Sequence, residues 1–124
     1  MIPTRLHGVF DYLGGLFLIA MPWIFGFARG GAETWVFVGA GALMIVLAMI
    51  TDYECGIVAG ISMPAHLTMD GLVGAFLAAS PWLFGFADFV YMPHVILGLV
   101  EVAGAIMTDR VPHKHAYMYR ERHV

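Results

Sequence analysis

The sequence predicts an all-α membrane protein of four transmembrane helices, arranged as two tandem helical hairpins. Three observations lead to this fold class. The 124-residue chain is 60% hydrophobic and only 12% charged, whereas soluble domains are about 25% charged. Its apolar residues form four runs that are almost free of charge, and one 22-residue segment occurs twice. A soluble chain of this size could not bury so much apolar surface, so we expect these helices to contact the lipid bilayer.

The repeated segment is the strongest pattern in the chain. Residues 7–28 read HGVFDYLGGLFLIAMPWIFGFA, and residues 66–87 read HLTMDGLVGAFLAASPWLFGFA. At an offset of 59, without gaps, 13 of the 22 positions are identical. Each copy begins with His-x-x-x-Asp and ends with Pro-Trp-x-Phe-Gly-Phe-Ala. Two copies of an apolar unit indicate a membrane protein built by duplication.

The four apolar runs define the predicted membrane spans, which are about 7–27, 34–52, 66–86 and 90–109. Each is close to the roughly 20 residues that a helix needs to cross a bilayer. Open β-sheets cannot span lipid, and the runs lack the alternation of barrel strands. The links within each pair of spans are short, which predicts hairpins. The longer middle link contains Ser62, a candidate N-cap of the third helix.

These spans predict one domain and a tail. We expect a four-helix transmembrane domain over residues 1–111, with the first repeat at about 7–52 and the second at about 66–109. A polar cytoplasmic tail follows over residues 112–124. With two helices in each repeat, the copies run parallel, so we expect a pseudo-twofold axis along the membrane normal.

The basic residues predict the orientation. With both termini on one side, that side holds five of the six basic residues, namely Arg5, Arg110, Lys114, Arg120 and Arg122, and the other side holds Arg29. Cytoplasmic loops are enriched in such residues. We therefore expect an integral protein of a plasma membrane, of the bacterial inner-membrane type, with both termini cytoplasmic. The net charge of −3 gives no indication of a nucleic-acid partner.

A candidate metal site is formed by the two His-x-x-x-Asp segments, at His7, Asp11, His66 and Asp70. Residues four apart share one face of a helix, and the two helices begin at the same membrane face. Imidazoles and carboxylates together suit Zn²⁺, Mn²⁺ or iron, and two histidines on opposite helices could also ligate haem. The leading interpretation is nevertheless a structural clamp, in which these side chains only bind one another and the helix termini. Metal or haem ligation is the first alternative, and proton or ion handling is the second.

Three further acids belong to the predicted polar cluster. Asp52 and Asp109 lie at helix C-termini, where the helix dipole disfavours them, so we expect the histidines, a metal or nearby arginines to compensate. Glu101 is the deepest acid, two turns or about 12 Å inside this face, and a carboxyl group in lipid is a functional candidate by default. His94 aligns with Trp35 at offset 59 and is expected to anchor the opposite interface.

The segment Ser80-Pro81-Trp82, with Met21-Pro22-Trp23 in the first copy, resembles the motif of the SPW-repeat family of small integral membrane proteins. The similarity extends over both predicted hairpins. It implies a small membrane protein of two hairpins and no particular reaction. The methionine of the first copy indicates that the serine hydroxyl is dispensable there.

The function must therefore be predicted from the residues. The chain has no nucleophile–base set, phosphate-binding loop or CxxC motif, so an enzymatic activity is neither predicted nor excluded. The leading hypothesis is a structural or accessory membrane protein that forms homo-oligomers. The second is a metal- or haem-dependent membrane oxidoreductase with His7 and His66 as ligands. The third is a proton or cation transporter that uses Glu101 and the aspartates, for which a dimer would be needed.

Overall fold

The computed structural model describes residues 1–115, which form four α-helices and no β-strand. The helices are α1 (Thr4–Ile24), α2 (Ala32–Ile50), α3 (Met63–Leu83) and α4 (Met92–Met107), and a short 3-10 turn follows at His113–His115. Helix α1 packs along α2, and α3 packs along α4, while the two pairs meet mainly through α2 and α3. The predicted all-α fold of four helices is confirmed.

Helices α1 and α3 begin about three residues before the predicted starts. Ser62 caps α3 as expected, because its Oγ accepts a hydrogen bond from the Ala65 backbone N–H at 3.3 Å. Pro64 then lies in the first turn, where its missing N–H costs nothing. Helix α1 begins directly after Pro3. The apolar pattern could not locate these starts, since the first turns of both helices include polar residues.

The Pro-Trp-x-Phe-Gly-Phe-Ala segment ends α1 and α3. The carbonyl of Pro22 accepts hydrogen bonds from Phe27 and the following residue, at 2.9 and 3.0 Å. Gly26, which directly precedes Phe27, has φ = +73°, a conformation that favours glycine. The second copy repeats this arrangement at Pro81 and Gly85. The motif is therefore a helix stop, and it ends both helices earlier than the predicted residues 27 and 86.

Pairs of glycines set the spacing within each hairpin. A Cβ on Gly15 would lie 2.8 Å from the Gly41 carbonyl oxygen, and one on Gly74 would lie 2.7 Å from that of Gly98. Such close backbone approach is typical of membrane helix pairs. Gly15 and Gly74 are 59 residues apart, whereas Gly41 and Gly98 are 57 apart. Helices α2 and α4 therefore correspond at an offset of 57.

The described residues expose apolar side chains and bury polar ones. Thirty large hydrophobic side chains are exposed, among them Trp23 and Trp82. The buried polar residues include two histidines, two aspartates and three threonines near one end of the bundle. By length and composition, α1 and α2 could each cross a membrane, and α4 is a shorter apolar helix.

Candidate metal centre

Helices α1 and α3 bring the four predicted ligands together. His7 and Asp11 project from α1, and His66 and Asp70 project from α3 at the corresponding positions. All four residues are buried, and each offers one nitrogen or oxygen atom within 4.8 Å of those of the other three. We call these four residues the quartet.

Both histidine Nε2 atoms face the carboxylates. His7 Nε2 lies 2.8 Å from Asp70 Oδ2 and 3.2 Å from Asp11 Oδ1. His66 Nε2 lies 3.0 Å from both Asp11 Oδ2 and Asp70 Oδ2. Each imidazole thus meets the aspartate of its own repeat and the aspartate of the other. The quartet therefore joins the two hairpins.

Two threonines fix the opposite edge of each imidazole. Thr108 Oγ1 lies 2.8 Å from His7 Nδ1, and Thr51 Oγ1 lies 2.7 Å from His66 Nδ1. Each hydroxyl donates its only hydrogen to the helix carbonyl four residues earlier. A hydroxyl whose hydrogen is used can only accept from the ring. This network assigns the hydrogen of both imidazoles to Nδ1.

A neutral imidazole with its hydrogen on Nδ1 presents a lone pair at Nε2. That lone pair would face negatively charged carboxylates, which is repulsive unless Nε2 carries a second proton or a cation lies between them. Although two carboxylate oxygens lie 3.0 Å from His66 Nε2, neither is aligned to accept a hydrogen bond from it. Asp70 Oδ1 is also buried, and it has no hydrogen-bond partner among the residues that the structure describes. The quartet thus holds ligand atoms whose bonding is incomplete.

The ends of α2 and α4 are held in place by backbone bonds. Ile2 makes two hydrogen bonds with the residues that flank Thr108, at 2.8 and 2.9 Å. Ile61 makes the same two bonds around Thr51, at 2.9 and 2.8 Å. These bonds fix the two threonines beneath the imidazoles. The sequence places Asp52 and Asp109 at these helix ends, but no pattern in it indicates this role for the preceding threonines.

Tyr53 completes the site and was missed by the sequence analysis. It is almost fully buried, and its hydroxyl donates to Asp11 Oδ2 at 3.2 Å. Burial and the nearby Asp11 carboxylate raise the pKa of Tyr53, so the phenol keeps its proton and remains a donor. Tyr53 lies in a loop, where residue spacing follows no helical period. The sequence pattern therefore could not place it beside Asp11.

Asp52 and Asp109 lie outside the quartet, contrary to the expectation that they join the cluster. Helices α2 and α4 end at the preceding threonines, which are extended and turn both aspartates outward. Asp52 contacts Lys114 at 2.8 Å and His115 at 3.0 Å, and these bonds hold the pKa of its carboxyl below the usual value. Asp109 is exposed.

The rest of the predicted tail, residues 116–124, lies outside the described residues.

Glu101 lies beside the quartet and lines a cavity that three of the quartet residues also line. This cavity of about 500 Å³ lies between α1 and α4, and its lining includes His7, Asp11 and Asp70. Both carboxyl oxygens of Glu101 are buried and have no hydrogen-bond partner within residues 1–115. At the offset of 57, the corresponding residue of the first repeat is Met44, which lines the same cavity.

His94 is not the interfacial anchor that the offset of 59 predicted. Its side chain is fully buried, and Nε2 lies 2.9 Å from the Glu33 carbonyl oxygen. The ring packs against Phe27, Phe37 and Phe86, with centroid distances of 4.4 to 5.4 Å. At the offset of 57, its counterpart is Phe37. The prediction was wrong because one offset was applied to both helices of the repeat.

The comparisons with known proteins give one match. The model of the SPW repeat domain matches residues 5–108, which include all four helices and the complete quartet. Neither a curated protein nor a solved structure matches the chain. Since the matched region covers most of its length, this chain belongs to the SPW repeat family.

Proposed function

We propose that this chain is a small integral membrane protein of two hairpins whose quartet binds one divalent transition-metal ion. In this role it is an accessory or structural metalloprotein, and the ion joins the two hairpins at the cytoplasmic face. The observation that carries the proposal is the orientation of His7 and His66. Both rings are fixed through Nδ1 by threonines, and both direct Nε2 toward two buried carboxylates.

The distribution of polarity supports a membrane location for all four helices. Large apolar side chains cover the outside of each helix, while the buried polar groups lie between the helices. Helix α3 packs along α2 as well as along α4, and α4 is also apolar, so we expect α3 and α4 to share the solvent of α1 and α2. The matched contacts of the two repeats support a pseudo-twofold axis along the membrane normal. Arg5 and Arg110 support a cytoplasmic position for the quartet end.

The quartet suits a divalent ion in number, charge and geometry. Two neutral imidazoles and two carboxylates supply four ligands and balance a charge of +2. A tetrahedral ion with bonds of about 2.1 Å needs ligand atoms about 3.4 Å apart. The closest nitrogen–oxygen separations are 2.8 to 3.2 Å, so small outward shifts are enough. The threonines act as the outer partners that usually orient metal-bound imidazoles.

A single ion fits this site better than haem does. Both Nε2 atoms lie within 3.0 Å of the same Asp70 oxygen, so a carboxylate occupies the space between the rings. A porphyrin needs that space for itself. Mixed imidazole and carboxylate ligands suit Zn²⁺, Fe²⁺ and Mn²⁺, and we propose one of these ions.

The second candidate is an ion-pair clamp without metal. It is favoured by His7, whose Nε2 makes a well-aligned contact with Asp70 Oδ2 at 2.8 Å. In a clamp, each imidazole carries two hydrogens and balances one carboxylate. The two candidates share the same residues but differ in composition, so they can be separated by chemical analysis.

Metal content is the test. The full chain, purified in mild detergent with an affinity tag free of histidine, should contain about one Zn, Fe or Mn per chain by elemental analysis. His7→Ala and His66→Ala should each lose the ion, since three ligands bind much more weakly than four. The double variant His113→Ala, His115→Ala removes histidines outside the quartet and should retain the ion.

Two results would contradict the metal proposal. One is a wild-type protein that holds no stoichiometric metal after purification without chelators and takes up none on dialysis. The other is a metal content that survives the loss of both His7 and His66 but falls with His113 and His115. The first result, with normal stability, would establish the clamp.

A further inference from the structure

The cavity between α1 and α4 has a composition that the quartet does not explain. Its lining is largely apolar, with side chains such as Phe10, Phe17 and Leu97. At about 500 Å³ it falls within the range of small-molecule sites, roughly 300–1,000 Å³. Helices α1 and α4 make few contacts with each other, unlike α2 and α3. The cavity is thus a cleft between the two hairpins.

The cleft carries more acid than base. In the part of the chain that the structure describes, its lining includes the carboxyl groups of Asp11, Asp70 and Glu101, one histidine, and no lysine or arginine. In the metal-bound quartet the ion balances the two aspartates, and in a clamp the two imidazoles balance them. Glu101 remains in excess in both cases. Its two buried oxygens lack any partner among the described residues.

We propose that this cleft binds a lipid-soluble amine, with its ammonium group on Glu101 and its apolar chain between α1 and α4. A primary ammonium supplies a positive charge and several N–H donors, so it can satisfy both carboxyl oxygens. Hydrogen bonds between charged groups are the stronger kind, and low dielectric strengthens them further. The apolar lining accommodates the chain.

A second copy of this chain is a poorer occupant of the cleft. Helices α1 and α4 contain one basic residue between them, Arg5, in the first turn of α1. Two copies that met through this face would bring a second Glu101 toward the first, and like charges repel. A soluble amine without an apolar chain would leave most of the lining without contacts. Charge and lining together favour an amphiphilic cation.

The binding of dodecylammonium to the full chain in nanodiscs tests this proposal. Equilibrium dialysis against empty nanodiscs should show saturable binding of about one molecule per chain. Dodecanol and dodecyl sulfate have the same chain with a neutral or an anionic head, and they should bind at least about tenfold more weakly. Glu101→Gln should reduce amine binding by a similar factor. Asp109→Asn, an exposed acid outside the cleft, should leave it unchanged.

The proposal rests on the membrane location of the bundle and not on the metal. Amine binding should therefore persist in wild-type protein treated with a chelator, in which the two imidazoles balance the aspartates and whose metal content is measured on the same sample. Three results would overturn the proposal: equal binding of dodecylammonium and dodecanol, unchanged binding in Glu101→Gln, and no saturable binding above that of empty nanodiscs. A Glu101-dependent dimer that blocks amine binding would assign the cleft to a second copy instead.

Discussion

The two ends of the bundle differ in how the repeats contribute to them. At the quartet end, each repeat supplies one histidine, one aspartate and one threonine, and each imidazole binds groups of both repeats. At the opposite end, the first repeat supplies Phe37 where the second supplies His94. Both residues take part in aromatic packing there, and His94 adds a polar bond to the Glu33 carbonyl that a phenylalanine cannot make.

This difference indicates what each end requires. A site that needs four ligands around one point constrains both repeats equally, because the loss of one ligand leaves buried charge unpaired. Aromatic packing tolerates replacement of one ring by another of similar shape. His94 and Glu101 of α4 stand where the first repeat has the apolar residues Phe37 and Met44. They are seven residues apart and share one helix face. The second repeat has therefore acquired polar groups of its own.

The largest effect is expected from removing one carboxylate of the quartet. Asp70→Asn should lower the free energy of unfolding by about 3–5 kcal/mol, the usual cost of breaking a buried charge pair. If both repeats contribute equally, Asp11→Asn should cost a similar amount. Unfolding in detergent micelles by SDS, followed by far-UV circular dichroism, gives these values. Asp109→Asn should change stability by less than about 0.5 kcal/mol.

Loss of a threonine hydroxyl should weaken metal binding more than folding. Thr108→Val and Thr51→Val keep the shape but remove the acceptor of the imidazole Nδ1–H. Outer partners of this kind affect metal affinity by about 10–100-fold. Competition with a chromophoric chelator measures the change. Thr108→Ser should restore the affinity, and an unequal effect of the two valines would show that the histidines are not equivalent.

Replacing His94 with the residue of the first repeat should cost less. His94→Phe retains the aromatic contacts but loses the bond to the Glu33 carbonyl, a net effect of about 1 kcal/mol. His94→Ala should cost several times more, because it leaves a cavity among three phenylalanines. The same unfolding measurements apply. Neither variant should alter the metal content, and a loss of metal in His94→Phe would show that the two ends are coupled.

The smallest effect concerns the surface contact of Asp52 with Lys114 and His115. The pKa of Asp52 is lowered in the folded protein from its ordinary value of 3.8. The contact is therefore fully present above that pH and is lost as the pH falls through the lower folded value. At neutral pH the amide hydrogens of the 3-10 turn should exchange faster in Asp52→Asn than in the wild type. In acid the two exchange rates should become equal. A difference that persists in acid would contradict this contact.

The sequence predicted the four helices and the four residues of the quartet because both are repeated, and repeated patterns stand out from composition. It placed His94 at the interface because the repeat offset changes from 59 to 57 between the first and second helices. Periodicity does not show where two helices cross, which the Gly41 and Gly98 contacts establish. The Thr51-Asp52 and Thr108-Asp109 pairs carry the same offset of 57 in the sequence. Tyr53 has no counterpart in the other repeat, so no pattern marked it as a partner of Asp11.

The backbone bonds of Ile2 and Ile61 bear on how the hairpins are connected. Ile2 follows the first residue of the chain, whereas Ile61 follows a link whose residues Ile57 and Val58 are exposed. Both nonetheless make the same two bonds to the end of a neighbouring helix. The two hairpins, expressed as separate polypeptides divided at Val58, should therefore assemble into the same arrangement of four helices.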